Sequence, residues 1–309
     1  MSDLILHHYP NSPFAEKIRL ILGSKKLAWR SVHIPMIMPK PDVIALTGGY
    51  RRTPLLQIGA DVYCDTALIC DVLEQMTPTA TLYPTALKGA ARVLAHWADS
   101  TLFQTAMAYN FQPKGAQAMF PDPEQLKIFA QDRAAMRNNA PRMPLPEATA
   151  AYKSYLRRIA SMLDGQDYVL GSAPCLADYA IYHPLWFTRS RVAAVAGILD
   201  ATPQVLAWMD RMAGCGHGQV EKFSADAAIE IAKSSTPLAV SQEIFQDEHG
   251  IALGSDVTIT AESFGLEPTP GKLIAATRTR YTLARSDART GEVHVYFPRV
   301  GYVLQKAEN

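Results

Sequence analysis

Cysteine is scarce in this chain, long apolar runs are absent, and neither sign of charge is in excess. The four cysteines, Cys64, Cys70, Cys175 and Cys215, form no CxxC pair and no short-spaced ligand set. That spacing argues against a disulfide framework and against a metal centre, and it predicts a reduced, cytoplasmic protein. No apolar stretch reaches the roughly 18 residues of a membrane span, and Met1-Ser2-Asp3 lacks the basic start of a secretory signal. With 30 Lys and Arg against 29 Asp and Glu, the formal net charge is +1, too little to gather nucleic acid or an anionic membrane. At 309 residues there is room for two or three domains with a sizeable core.

The informative part is the first 75 residues, where three signals follow in order. Leu4-Ile5-Leu6-His7-His8-Tyr9 is an apolar run of strand length, stopped by Pro10 and Asn11. Ser12 takes an N-cap position with Pro13 at the first helical position, and Phe14, Ile18, Ile21 and Leu22 share one helical face up to Gly23. A hydroxyl at the positive end of a helix can cap it, or it can stabilise a thiolate. Arg51-Arg52-Thr53-Pro54 then precedes the strand Leu55-Leu56-Gln57-Ile58. A cis Thr53–Pro54 bond would turn the Thr53 backbone outward to pair with an extended peptide; the residues leave both isomers open. Asp61 to Cys64 is a last short strand, after which Asp65-Thr66 opens a second helix. Asp65 is either a cap or the acceptor of an ammonium, while Thr66 and the helix amides suit a carboxylate.

This order and spacing resemble the thioredoxin-fold N-terminal domain of the cytosolic glutathione S-transferases. The resemblance implies that Ser12, in Asn11-Ser12-Pro13-Phe14, contacts and activates the glutathione thiol, with Tyr9 as the alternative and Asn11 a weaker third. It implies that Thr53, before a cis Pro54, contacts the cysteinyl backbone, and that Asp65 and Thr66 hold the γ-glutamyl end. The family more often has Glu-Ser there, so Asp65-Thr66 is a conservative departure. Arg51, Arg52 and Lys40 are candidates for the glycine carboxylate, with solvated surface charge as the competing reading. No metal is implied, and a homodimer is.

Thr77 to Pro84 has linker composition, and beyond it the period becomes helical for about 150 residues. Trp97, Phe103, Tyr109 and Phe111 offer aromatic area on the first long helix, most of it expected in the core. Tyr168 to Tyr179 resembles the family's buried capping motif, with Cys175 in the hydroxyl position and Asp178 predicted to serve folding. His7 and His8 point to opposite faces of one strand. Cys215-Gly216-His217-Gly218 reads as a flexible helix end rather than a metal motif. After Ser234 β-branched alternation takes over, as in Val257 to Thr260 and Glu292 to Phe297, with a hairpin loop at Asp287 to Gly291. The arginines of this tail are nearly balanced by acids and read as a solvated strand face.

The expected architecture is a thioredoxin-like α/β domain at 1–84, an all-helical domain at 85–233 and a small antiparallel β domain at 234–309, the last dispensable for glutathione binding. The expected activity is conjugation of the glutathione thiolate to a small hydrophobic electrophile. Two alternatives are a non-catalytic glutathione-fold module whose β tail docks a partner, and a glutathione-dependent thiol reductase. The reductase usually needs Cys where Ser12 stands.

Overall fold

The computed structural model describes residues 3–240 and 244–307. The chain opens with β1 (Ile5–His8), α1 (Pro13–Ser24), β2 (Ala28–His33), α2 (Pro41–Thr47), β3 (Leu55–Ile58), β4 (Asp61–Cys64) and α3 (Thr66–Met76). β1 pairs parallel with β2 and antiparallel with β3, which pairs antiparallel with β4. Period-two alternation sends Leu6, Leu56 and Tyr63 to one face of this sheet and Ile5, Leu55 and Val62 to the other. The first face packs on α1 through Ile18, Ile21 and Leu22, all fully buried, each worth about 1.5–3 kcal/mol relative to exposure.

The same core continues into the helical region: α4 (Lys88–Trp97), α5 (Phe103–Asn110), α6 (Pro113–Met119), α7 (Pro123–Met136), α8 (Leu145–Met162), α9 (Leu176–Trp186) and α10 (Pro203–Ala213). α9 is its axis. Asp178 accepts from the amides of Cys175 and Val169, both at 2.9 Å, and from the Trp208 indole at 3.0 Å. Its role is structural, and the reciprocal capping box closes with the Cys175 thiol in the hydroxyl's place. Trp97, Tyr109 and Phe111 pack against this core as partly buried rings.

The helical region ends sooner than its composition suggests. Gln219–Phe223 is a strand, β5, that pairs parallel with β2, and only then does α11 (Ala225–Ser234) follow. β5 is nearly all exposed, so it carries no alternation to betray it. The Cys215 to Gly218 segment before it is docked rather than loose. The Trp29 indole donates to the His217 carbonyl at 2.7 Å, and a Cβ on Gly23 would strike the Gly216 backbone.

The tail forms β6 (Asp256–Ala261), β7 (Thr269–Ala276), β8 (Arg280–Asp287), β9 (Gly291–Pro298) and β10 (Tyr302–Lys306). These strands do not make a sheet of their own. β9 pairs parallel with β4, giving one ten-stranded sheet in the order β10-β6-β7-β8-β9-β4-β3-β1-β2-β5. The Tyr63 and Tyr296 rings stack across that junction at 4.6 Å, and the Tyr296 hydroxyl donates to Asp61 at 2.7 Å. α2 and α11 cover the second sheet face together with the tail strands. Nor are the tail arginines a solvated row: Arg285 donates to the Ala45 carbonyl, and Arg289 pairs with Asp42 at 2.6 Å, both clipping the tail to α2.

Candidate active site

The start of α1 is built as its residues require. Ser12 has extended backbone, its hydroxyl accepts from the Ala15 amide at 3.2 Å, and Pro13 fills the first helical position. The bond uses a lone pair and leaves the O–H proton uncommitted. Ser12 is only 2 % exposed, whereas Tyr9 is half-buried and Asn11 exposed. Tyr9 is thus the more accessible hydroxyl at this helix start.

Lys40 lies beneath Tyr9, its Nζ 5.9 Å from the ring centroid. The same Nζ donates to the Thr53 hydroxyl at 3.2 Å and to the Arg51 carbonyl at 3.1 Å. Thr53–Pro54 is cis, as is Met38–Pro39. Lys40 and Arg51 are buried, so neither is the solvated charge that the sequence allowed. Burial, reinforced by Arg133 and Arg51, brings the Lys40 ammonium down to about 8. Arg51 pairs with Asp132 of α7 and, at 2.7 Å, with Glu267 of the tail.

Asp65 caps α3 from a left-handed backbone (φ +74), accepting from the Ala67 amide at 2.9 Å. Its other oxygen accepts from the Tyr302 hydroxyl at 2.9 Å and lies 3.6 Å from the Arg52 guanidinium. The Asp65 amide donates to the Tyr50 hydroxyl at 3.1 Å, and Arg52 donates to the Phe264 carbonyl at 2.5 Å. Tyr302 belongs to β10, so the tail reaches the proposed γ-glutamyl position. A tail expected to be dispensable for glutathione binding is thus hydrogen-bonded to a residue of the expected site.

Thr66 is buried and accepts from the Lys17 ammonium at 3.2 Å. Lys17 is fully buried and pairs with Asp99 at 2.6 Å, and Asp99 also meets His183 Nε2 at 2.9 Å. Burial disfavours the Lys17 ammonium, but the Asp99 carboxylate outweighs it and holds the ammonium above its ordinary value. Phe14 lies against His183 and Phe103, with ring centroids at 4.5 and 4.7 Å. Lys17 falls on the apolar stripe of α1 beside Phe14, Ile18 and Ile21, and a charge in such a stripe is a legible signal of a buried partner. For Tyr302 and Tyr50 the local sequence holds no such signal.

The structure therefore links the sequence-predicted residues into three connected groups: Tyr9–Lys40–Thr53, Arg52–Asp65, and Thr66 back to α1 through Lys17. Among the described residues no three His, Cys, Asp or Glu side chains gather as a metal ion would need.

With this geometry in place, comparison with known proteins defines the class. Residues 6–81 match the glutathione S-transferase N-terminal domain and residues 134–211 the C-terminal domain. A GST-like protein from Pseudomonas syringae is 42% identical, over 99% of this chain and 100% of its own, with a TM-score of 0.84. The chain belongs to the glutathione S-transferase family. A glutathione S-transferase from Methylobacillus flagellatus KT, solved with glutathione bound, shares the fold at 21% identity and a TM-score of 0.51, over 68% of this chain and 95% of its own. FtsZ-localized protein A of Caulobacter vibrioides is 24% identical over 180 residues, which is 57% of this chain and 72% of that one. No helix among the described residues is long and apolar enough to cross a membrane.

Proposed function

We propose that this chain binds glutathione between Tyr9, Thr53 and Asp65 and transfers its thiolate to a hydrophobic electrophile. The observation that carries the reading is that Lys40 joins Thr53 to Tyr9 just before the start of α1, while Thr66, next to the Asp65 cap, is tied to α1 through Lys17. Asp65 receives the γ-glutamyl ammonium and Thr53 the cysteinyl backbone. Lys40, Arg51 and Arg52 supply positive field for the glycine carboxylate. A hydroxyl at the α1 N-terminus, Ser12 or Tyr9, donates to the sulfur and lowers its pKa from about 8.5, so that thiolate forms near neutral pH. The protein contributes orientation and a depressed thiol pKa, not a covalent intermediate. The active unit is a homodimer in this reading, checked by its mass in solution.

The thiolate absorbance of bound glutathione against pH tests the chemistry. Ser12→Ala is expected to move the thiol pKa up toward its free value and to slow conjugation of a general electrophile at neutral pH. If Tyr9→Phe moves it and Ser12→Ala does not, the donor is Tyr9.

A second reading, a non-catalytic binding module, is favoured by two observations: Ser12 is nearly enclosed, and the Asp65 carboxylate already has three partners from its own chain. The similarity to FtsZ-localized protein A, a protein named for its localisation with FtsZ, leans the same way. A thiol pKa unmoved by either variant selects this reading over the transferase.

A further inference from the structure

The loop between β6 and β7, residues 262–268, is seated against the arginine pair that precedes Thr53. β3 and β4 are antiparallel with Leu55 opposite Cys64, which brings Pro54 beside Asp65. A γ-glutamyl group at Asp65 and a cysteinyl backbone at Thr53 therefore run the ligand back along the chain, its glycine toward Arg52 and Arg51. The Arg52 guanidinium is turned to the other end. It lies 3.6 Å from Asp65 and donates to the Phe264 carbonyl at 2.5 Å. The glycine end is left with Lys40 and Arg51, joined by the bond from Lys40 Nζ to the Arg51 carbonyl at 3.1 Å.

Arg51 already holds a carboxylate from the tail. It pairs with Asp132 and, at 2.7 Å, with Glu267. Asp132 is fixed by a network of its own, since it also pairs with Arg133 and accepts from the Met38 amide at 3.3 Å. Glu267 is hydrogen-bonded to Arg51 alone among the described residues. The fit is incomplete. A guanidinium and a carboxylate can pair through two parallel bonds, yet only one forms, and Arg51 Nε and Glu267 Oε2 are both buried without a partner. An unpaired buried polar atom is costly, so this contact is open to replacement by a better-placed carboxylate. The loop backbone is pinned. The Gly265 amide donates to the Met136 carbonyl at 2.7 Å, and a Cβ on Gly49 would stand 2.1 Å from the Pro268 carbonyl oxygen. The Glu267 side chain, 40 % exposed, is the part that can swing away.

We propose that Glu267 is a resident counter-ion at the glycine end of the site, which the ligand's terminal carboxylate displaces from Arg51. The tail thereby sets how much the site gains from that carboxylate, and it discriminates among γ-glutamyl-cysteinyl thiols at their C-terminal end. The inference rests on the glutathione reading of the site.

Calorimetry with glutathione and with its glycinamide analogue, which lacks the terminal carboxylate, tests it. In the wild type the two ligands should bind within about threefold of each other, because releasing Glu267 offsets what the carboxylate gains. A preference for glutathione above about tenfold would overturn the proposal without any variant. Glu267→Gln keeps the size of the side chain, and Arg51 keeps Asp132, so the circular dichroism spectrum should not change. This variant should bind glutathione about two- to fivefold more tightly, the range of a partly exposed ion pair, and the glycinamide no differently. A purely structural Glu267 gives the opposite sign, since a loosened loop weakens both ligands. Glutathione bound equally or less tightly by the variant, or a glycinamide strengthened as much as glutathione, would overturn the proposal and leave the glutathione site standing. If neither ligand binds either protein, the glutathione reading fails and this proposal with it.

Discussion

Asp65→Asn separates the two jobs assigned to that carboxylate. The amide oxygen still accepts from the Ala67 amide, so the α3 cap survives. The amide nitrogen must then face the Tyr302 hydroxyl and the Arg52 guanidinium, where an acceptor stood at 2.9 and 3.6 Å. The tyrosine hydroxyl can turn and accept instead, but Arg52 loses its counter-charge. Because Asp65 and Arg52 are each about one-fifth exposed, water replaces part of what is lost, and the pair is worth about 1 kcal/mol or less. The melting temperature should fall by about 2–4 °C per kcal/mol lost. The ligand suffers more. Losing a charged hydrogen bond to the γ-glutamyl ammonium costs about 1.5–3 kcal/mol, or about tenfold or more in glutathione affinity. Calorimetry with glutathione and with its des-amino analogue, which lacks that ammonium, isolates the effect. The variant should weaken the first and leave the second unchanged. Equal loss for both ligands, or none for glutathione, refutes the assignment and reduces Asp65 to a cap that anchors the tail.

Three further outcomes follow from the buried charges and from the tail. Removing residues 299–309 takes Tyr302 away from Asp65 and exposes β6; glutathione affinity in calorimetry should fall, and Tyr302→Phe in the full chain should reproduce part of the loss, whereas a soluble truncation that binds normally would make the contact incidental. Lys17→Met leaves Asp99 without its closest partner, and denaturant unfolding should show a loss of about 3–5 kcal/mol; a change within about 0.5 kcal/mol would mean that the pair is not buried in solution. Lys40 is held near 8 against about 10.4 in an unfolded chain, so the folded state bears the cost of its charge below pH 8 and sheds it as pH rises toward 10.4. Relative to Lys40→Met, the wild type should therefore gain stability between pH 8 and 10; a difference constant across that window would contradict the depressed value.

What the sequence makes legible is what local rules encode. Ser12 and Asp65 announce their caps because capping is decided within three residues, and the β6 to β10 alternation announces a half-buried sheet. Pairing partners are another matter. Nothing near Val295 says that it will lie beside Val62, since any strand with one apolar face satisfies the same period. β5 fails differently: at an exposed edge its five residues carry no pattern at all. The site shows the same division. Thr53, Pro54 and Asp65 stand in motifs, whereas Tyr302 joins Asp65 only through the whole sheet, and the arginines of the tail look solvated until α2 is placed beneath them.

The parallel seam between β4 and β9 also fixes an order of events during synthesis. Strands β1 to β4 leave the ribosome more than 200 residues before β9, and until then β4 presents an unpaired edge beside the apolar Leu55 and Val62 face. Such an edge is a template for pairing with another nascent chain, and the long loop that must close makes native pairing slow. Nascent chains stalled before residue 291 should therefore need a chaperone to stay soluble, and completion of β9 should release it.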